Sequence, residues 1–140
     1  MGRVTLLLVV IVGMGSLAGC GSGSSDEISG VIDVGLSDFA IDLSEDTVSR
    51  GLVEFKMDNQ GPSVHEFVVF ETDLAPADLP TGPDGDVAES DAFAPIDELE
   101  DIKVGSGDKL EVELKAGNYV VICNLPGHYR QGMAAGVTVT

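Results

Sequence analysis

The chain has 140 residues, of which 24 are Asp or Glu and seven are Lys or Arg, so its formal net charge at pH 7 is −17. This acidity excludes binding to nucleic acid or to anionic lipid, because both require a basic surface. It fits either a basic protein partner or simple solubility, and the composition alone does not choose between them.

Residues 1–19 have the pattern of a secretion signal. Arg3 is the positive residue near the start, the apolar run 4–12 is too short to span a bilayer comfortably, and small residues precede Cys20. This pattern resembles a prokaryotic lipobox, so we expect cleavage before Cys20 and attachment of lipid to its sulfur. An ordinary secretion signal with an incidental cysteine is the alternative.

Residues 20–27 are rich in Gly and Ser and are expected to form a flexible tether after the lipidated cysteine. Residues 28–140 are then one domain, anchored to the membrane and lying outside the cytoplasm. Cys123 has no cysteine partner in this domain. A lone thiol in an oxidising compartment is a liability unless a metal occupies it.

Short runs of alternating or apolar residues, separated by turn residues, predict β-strands along the domain. These runs are 28–36, 39–43, 47–57, 65–71, 109–114, 119–123 and 133–140. The run 65–71 is almost wholly apolar, so we expect it to be covered on both faces. Seven or eight short strands in this length predict an all-β fold, an antiparallel Greek-key sandwich.

The stretch from Glu71 to Asp101 interrupts this pattern. It holds eleven acidic residues, four prolines and no basic residue. We predict a long acidic insertion between strands, which is either a docking surface or a mobile flap. Within it, residues 95–101 begin with proline and predict one short helical turn.

Four side chains have the chemistry of metal ligands, and they lie in two separate segments of the sequence. His65 begins one strand, Cys123 ends another, and His128 and Met133 follow Cys123 with four residues in each gap. One thiolate, two imidazoles and a weak thioether are the ligands of a blue-copper electron-transfer centre. Gln131 is an alternative source of the axial ligand.

The segments around these ligands resemble the cupredoxin family of small blue copper proteins. The matching motifs are Gly117–Cys123, the Cys-x4-His-x4-Met spacing from Cys123 to Met133, and Asn59 six residues before His65. The spacing is similar to rusticyanin-type members, and the acidic, tethered arrangement is similar to halocyanin-like proteins. The resemblance favours Met133 as axial ligand and implies an eight-stranded sandwich, electron shuttling by one copper ion, and His128 as the port for electrons.

Asn59 and Asn124 are candidates to brace the ligand segments by hydrogen bonds. We expect a monomeric, non-enzymatic electron carrier that exchanges electrons with redox proteins, because two histidines cannot build a second copper centre. Two other functions stay open. One is copper binding for delivery or buffering, and the other is a metal-free sandwich used for adhesion. Glu66, next to a candidate ligand, has no assigned role.

Overall fold

The computed structural model describes residues 27–140. The predicted leader, Cys20 and the tether up to residue 26 lie outside the described residues. Nine strands and one 3-10 turn make up the described part: β1 (Ile28–Ser37), β2 (Ala40–Leu43), β3 (Thr47–Val48), β4 (Gly51–Gly61), β5 (His65–Glu71), β6 (Asp97–Ile102), β7 (Lys109–Leu114), β8 (Gly117–Ile122), the turn Tyr129–Gln131, and β9 (Ala134–Val139).

The strands form two sheets that pack as a sandwich. The four-stranded sheet has the order β2-β1-β4-β7, and the five-stranded sheet has the order β3-β9-β8-β5-β6. The predicted all-β sandwich is therefore confirmed. The expectation of wholly antiparallel sheets is wrong for two pairs, because β1 with β4 and β3 with β9 are parallel. Between β1 and β4 the chain passes through β3, which lies in the other sheet. Strands β1 and β4 are therefore joined by a crossover instead of a hairpin, as a parallel pair requires.

The core lies between the two sheets and follows the alternation of the strands. In β4, Val53, Phe55 and Met57 are buried in this core, whereas Lys56 points outward and pairs with Glu54 at 3.3 Å. Tyr119, Val121 and Cys123 belong to the same core. The cysteine sulfur therefore emerges among buried apolar side chains.

The five-stranded sheet is covered on its outer face as well. Val68 and Phe70 of β5 pack there with Val120 and Ile122 of β8. Their cover comes from Leu79, Val87 and Tyr129, which lie in the connections after β5 and β8. The prediction that the apolar strand 65–71 is covered on both faces is confirmed.

Some element boundaries differ from the sequence-based expectation. The run 47–57 is divided into β3 and β4, and β4 extends to Gly61. Residues 97–102 form the edge strand β6 instead of a helical turn, with Leu99 opposite Phe67 in β5. The carboxylates of β6 are exposed, and charged residues on an edge strand oppose pairing with other chains.

We use the name acidic segment for residues 72–96, which connect β5 to β6. The segment contains two isolated β-bridges, Thr81 with Val87 and Ser90 with Phe93. The described part of the chain contains no helix with the length and hydrophobicity needed to cross a bilayer.

Candidate metal centre

Two neighbouring strands bring the predicted ligands to one end of the sandwich. His65 is the first residue of β5 and Cys123 follows the last residue of β8. These strands are antiparallel, with Val68 opposite Ile122. The start of β5 and the end of β8 therefore lie at the same end of the sheet. His128 lies in the connection from β8 to β9. One potential ligand atom from each of the three residues lies within 4.8 Å of the others.

The donor atoms of this cluster face one another. His65 Nδ1 lies 3.3 Å from His128 Nδ1, and Cys123 Sγ lies 3.4 Å from His128 Nδ1 and 3.9 Å from His65 Nδ1. Ligands bound to one ion at about 2.0–2.3 Å cannot lie more than about 4.6 Å apart. The three atoms therefore fit a single ion, and thiolate with imidazole is a donor set suited to copper.

Met133 completes the loop that carries these ligands. It is fully buried, its carbonyl accepts a hydrogen bond from the Cys123 N–H at 3.1 Å, and its N–H donates to the His128 carbonyl at 3.3 Å. Gly132 permits this closure because its φ of 104° is in the left-handed region. The side chain of Gln131 is exposed and donates to the Gly127 carbonyl at 2.9 Å, within the loop.

The Cys123 thiol is shielded from solvent. It is fully buried, and burial raises its pKa to about 11. The Glu66 N–H donates to its sulfur at 3.4 Å, which partly offsets the effect of burial on the pKa. At neutral pH the free protein therefore holds a thiol, and a metal ion that binds the sulfur displaces a proton.

His65 turns its second nitrogen away from the cluster and towards Asp38. His65 Nε2 lies 3.1 Å from Asp38 Oδ1, an ion-pair distance, although the contact is not directed as a hydrogen bond. Burial lowers the pKa of His65, whereas the charge of Asp38 raises it. The neighbouring Phe39 packs edge-on against the His128 ring, with centroids 5.1 Å apart.

The sequence did not indicate Asp38 or Phe39 as parts of the site. Both lie between β1 and β2, in a turn that reaches the ligand end of the sandwich. Asp38 is one of 24 acidic residues, and nothing in its sequence neighbourhood distinguishes it from the others.

Asn59 makes no hydrogen bond to the three donor atoms. Its amide nitrogen donates to the Ser63 carbonyl at 2.9 Å and to the Ile102 carbonyl at 2.7 Å, and its oxygen accepts from the Gly61 N–H at 2.8 Å. The side chain is 1% exposed. These bonds connect the end of β4, the end of β6 and the loop that leads into His65.

We use the name ligand loop for residues 123–133, which connect β8 to β9. Asn124 connects this loop to the acidic segment. Its oxygen accepts from the Val87 N–H at 2.8 Å, and its nitrogen donates to the Val87 carbonyl at 3.1 Å and to Glu89 Oε1 at 2.9 Å. The Gly127 N–H donates to Asp86 Oδ1 at 2.8 Å.

The 3-10 turn of the ligand loop is held in the same way. Tyr129 donates its hydroxyl hydrogen to the Pro76 carbonyl at 2.9 Å and accepts from the Leu79 N–H at 3.0 Å. Arg130 donates to the Asp84 carbonyl at 2.6 Å. The acidic segment is therefore bound along the loop from Asn124 to Arg130.

Glu66 is half-buried beside this junction. Burial raises the pKa of its carboxyl, and the charges of Glu89, Glu98 and Glu100 act in the same direction. Its backbone N–H contacts the cysteine sulfur, so the residue takes part in the site through its main chain.

Comparison with solved structures gives the same architecture. An auracyanin from the photosynthetic bacterium Roseiflexus castenholzii is similar with a TM-score of 0.61 and 21% identity, covering 80% of this chain and 97% of that one. Auracyanin B follows with a TM-score of 0.56 and 19% identity over 82% and 91% of the two chains. Rusticyanin from Thiobacillus ferrooxidans has a TM-score of 0.53 and 17% identity over 81% and 79%. These similarities concern the fold.

The family is shown by the sequence itself. No curated protein matches the chain significantly. The profile of the copper-binding proteins of the plastocyanin/azurin family matches residues 31–140, which include all four predicted ligands. This chain therefore belongs to the plastocyanin/azurin family of copper-binding proteins, the cupredoxins, which carry electrons with one type 1 copper ion.

Proposed function

We propose that this protein is an electron carrier whose single copper ion is held by His65, Cys123, His128 and Met133. The observation that carries the proposal is the convergence of His65 Nδ1, His128 Nδ1 and Cys123 Sγ at separations of 3.3–3.9 Å. Met133 is the axial candidate because it is fully buried and hydrogen-bonded through its main chain to Cys123 and His128.

Copper supplies a one-electron couple, and a thiolate, two imidazoles and a thioether suit both of its oxidation states. The chain supplies rigidity. His65 and Cys123 are fixed at the ends of paired strands, and the loop from Cys123 to Met133 is closed by main-chain hydrogen bonds. Donor positions that are fixed before the electron arrives keep the structural rearrangement small.

We propose His128 as the port for electrons. His65, Cys123 and Met133 are fully buried, whereas His128 is only half-buried. The edge-on contact with Phe39 holds its ring in place. A partner that docks over this end of the sandwich reaches the site through one imidazole.

The proposed role is non-enzymatic. Both histidines of the sequence lie in this one cluster, so the chain cannot assemble a second histidine-based copper centre. Three of the four proposed ligands are fully buried, which leaves little room for a substrate to reach the metal.

We further propose that the carrier works outside the cytoplasm at a membrane surface. Support comes from the leader pattern of residues 1–19, the cysteine at position 20 and the Gly/Ser-rich tether 20–27, after which the described domain begins with β1 at Ile28. Members of the family are generally extracytoplasmic. Mass spectrometry of Cys20 in membrane fractions tests the anchor, and an unmodified, soluble protein would contradict it.

The expected partner is a basic redox protein that meets a monomer of this chain. The sequence from Asp73 to Asp101 contains ten acidic residues and no basic residue, and the acidic segment is hydrogen-bonded to the ligand loop beside His128. An opposite charge on the partner would speed their encounter.

Voltammetry of the copper-loaded protein tests carriage against the alternative of copper delivery or buffering. A carrier gives a fast, reversible one-electron wave and keeps its copper through repeated cycles. A delivery or buffering protein loses metal on reduction or exchanges it quickly with a chelator. The buried ligands favour the first outcome, because copper release would require the loop to open.

A further inference from the structure

The short turn between β1 and β2 contacts both histidines of the proposed copper site. Asp38 lies 3.1 Å from His65 Nε2, and Phe39 packs against the His128 ring. The opposite nitrogen of His65, Nδ1, faces Cys123 and His128. The two nitrogens of this imidazole therefore have different neighbours: a cysteine sulfur and a second imidazole on one side, and a carboxylate on the other.

The Asp38 carboxylate is held in place independently of the histidine. Asp38 Oδ2 accepts a hydrogen bond from the Ser63 hydroxyl at 2.7 Å, and Oδ1 accepts from the Ser63 N–H at 3.2 Å. Its side chain is 19% exposed, whereas that of His65 is not exposed at all. A fixed negative charge thus lies against Nε2 of the ligand imidazole.

His65 Nε2 makes no well-directed hydrogen bond among the described residues, and Asp38 Oδ1 lies 3.1 Å from it. A buried N–H without a partner is costly, and Asp38 is the group within reach. In metal sites, a carboxylate that accepts from the outer nitrogen of a histidine fixes its tautomer and makes the inner nitrogen a stronger donor. A negative charge beside the site also favours the more highly charged oxidation state of the metal.

We propose that Asp38 is a positioning residue that keeps the proton of His65 on Nε2, leaves Nδ1 free for copper, and stabilises Cu(II) relative to Cu(I). The proposal rests on the proposed function, because it takes His65 as a copper ligand. In this proposal the carboxylate of Asp38 is the partner of His65 Nε2, the nitrogen that does not face the copper site. Asp38 thereby has a role although it is not one of the four proposed ligands.

The test compares the full-length Asp38→Asn variant with wild type and with Asp46→Asn. Asparagine keeps the size and an acceptor oxygen but removes the charge. Asp46 is an exposed aspartate whose carbonyl accepts a hydrogen bond from the Thr138 N–H. Thr138 lies near the end of β9 that is away from Met133, so Asp46→Asn controls for the loss of one negative charge outside the site. Affinities for Cu(II) and Cu(I) are measured by chelator competition, and the reduction potential by voltammetry.

We expect Asp38→Asn to lower the Cu(II) affinity by about 10- to 100-fold, the range typical for outer partners of metal ligands. The Cu(I) affinity falls less, so the potential rises. Each tenfold difference between the two losses corresponds to about 59 mV for a one-electron couple. Ser63→Ala, which loosens the carboxylate, shifts the potential in the same direction by a smaller amount, and Asp46→Asn leaves it unchanged.

Nitrogen-15 NMR of the metal-free protein gives a second readout that does not depend on copper. Wild type is expected to show the His65 proton on Nε2, and Asp38→Asn a mixture of tautomers. Equal losses of Cu(II) and Cu(I) affinity, an unchanged potential, or a wild-type proton on Nδ1 would each overturn the proposal. If wild type forms no copper–thiolate site at all, the proposed function fails, while the NMR comparison still decides whether Asp38 directs His65.

Discussion

His65 Nδ1 and His128 Nδ1 lie 3.3 Å apart, although their residues are separated by 63 positions in the chain. Two imidazole nitrogens that both present lone pairs repel one another unless a proton or a cation lies between them. Burial lowers the pKa of His65, which disfavours the doubly protonated, cationic form of its ring. Cys123 Sγ lies 3.4 Å from His128 Nδ1 and 3.9 Å from His65 Nδ1, so one metal cation can contact all three donors, whereas one shared proton joins only two.

Met133→Gln is predicted to keep copper and to lower the reduction potential. A glutamine oxygen is a harder axial ligand than a thioether and favours Cu(II). We expect a change of at least about 59 mV, a tenfold change in the ratio of Cu(II) to Cu(I) affinity. Met57→Leu is the control, because Met57 belongs to the core in β4. An unchanged potential in Met133→Gln would assign the axial position to another group.

Asn124→Ala is predicted to loosen the ligand loop from the acidic segment. It removes three hydrogen bonds, two of them to the main chain of Val87. The free energy of unfolding should fall by about 1–3 kcal/mol, measured by denaturant titration. Asn118→Ala is the control, because exposed Asn118 in β8 bonds Asp73 at the start of the acidic segment and does not join the segment to the ligand loop. Equal, small losses in both variants would mean that the acidic segment does not brace the loop.

Copper binding is predicted to release the proton of Cys123. The pKa of the free thiol is raised to about 11 by burial, so the thiol is protonated at pH 8, where imidazoles are ordinarily neutral. One proton should appear in weakly buffered solution for each Cu(II) bound, and the apparent affinity should rise about tenfold per pH unit up to pH 10. Cys123→Ser should release none. A pH-independent affinity in wild type would exclude the thiolate as a ligand.

The same raised pKa predicts how the metal-free protein responds to alkali. A thiol with a folded pKa of about 11 and an ordinary value of 9.0 ionises first in the unfolded chain. Its contribution to stability is therefore complete below pH 9 and is lost between pH 9 and 11, by about 2–3 kcal/mol. The difference in unfolding free energy between wild type and Cys123→Ala isolates this effect, and a difference that does not change with pH would contradict it.

Electron exchange with a basic redox protein is predicted to slow as salt rises. Opposite charges steer association, and screening over a Debye length of about 10 Å at 0.1 M salt removes this advantage. A double variant, Asp78→Asn with Asp91→Asn, removes two exposed charges from the acidic segment, and Asp33→Asn with Asp42→Asn removes two from the other sheet. Only the first should slow the reaction and flatten its salt dependence. Equal effects would assign the acidity to solubility.

The sandwich and the candidate ligand residues were predictable because their sequence signals are local. Alternation in β4 and the apolar run of β5 marked strands, and the spacing of Cys123, His128 and Met133 marked one loop. Strand β6 was missed because Pro95 suggested the start of a helical turn, whereas pairing with β5, which lies elsewhere in the sequence, determines the conformation of residues 97–102.

The contacts of Asp38 and Asn124 were beyond sequence reasoning for a different reason. Each depends on chain segments that meet only after folding: the β1–β2 turn against His65, and the acidic segment against the ligand loop. Asn124 was a candidate brace in the sequence, but its partner Val87 was not. Hydrogen bonds of this kind leave no periodic pattern in a single sequence.

The most direct test of the copper site is a visible titration of the metal-free protein with Cu(II), performed on wild type and on Cys123→Ser. A bond between copper and the Cys123 thiolate predicts an intense blue absorption in wild type that saturates at one ion per chain, and no such band in the variant. A wild-type protein that stays colourless, or a variant that turns equally blue, would contradict the assignment of Cys123 and with it the proposed electron carrier.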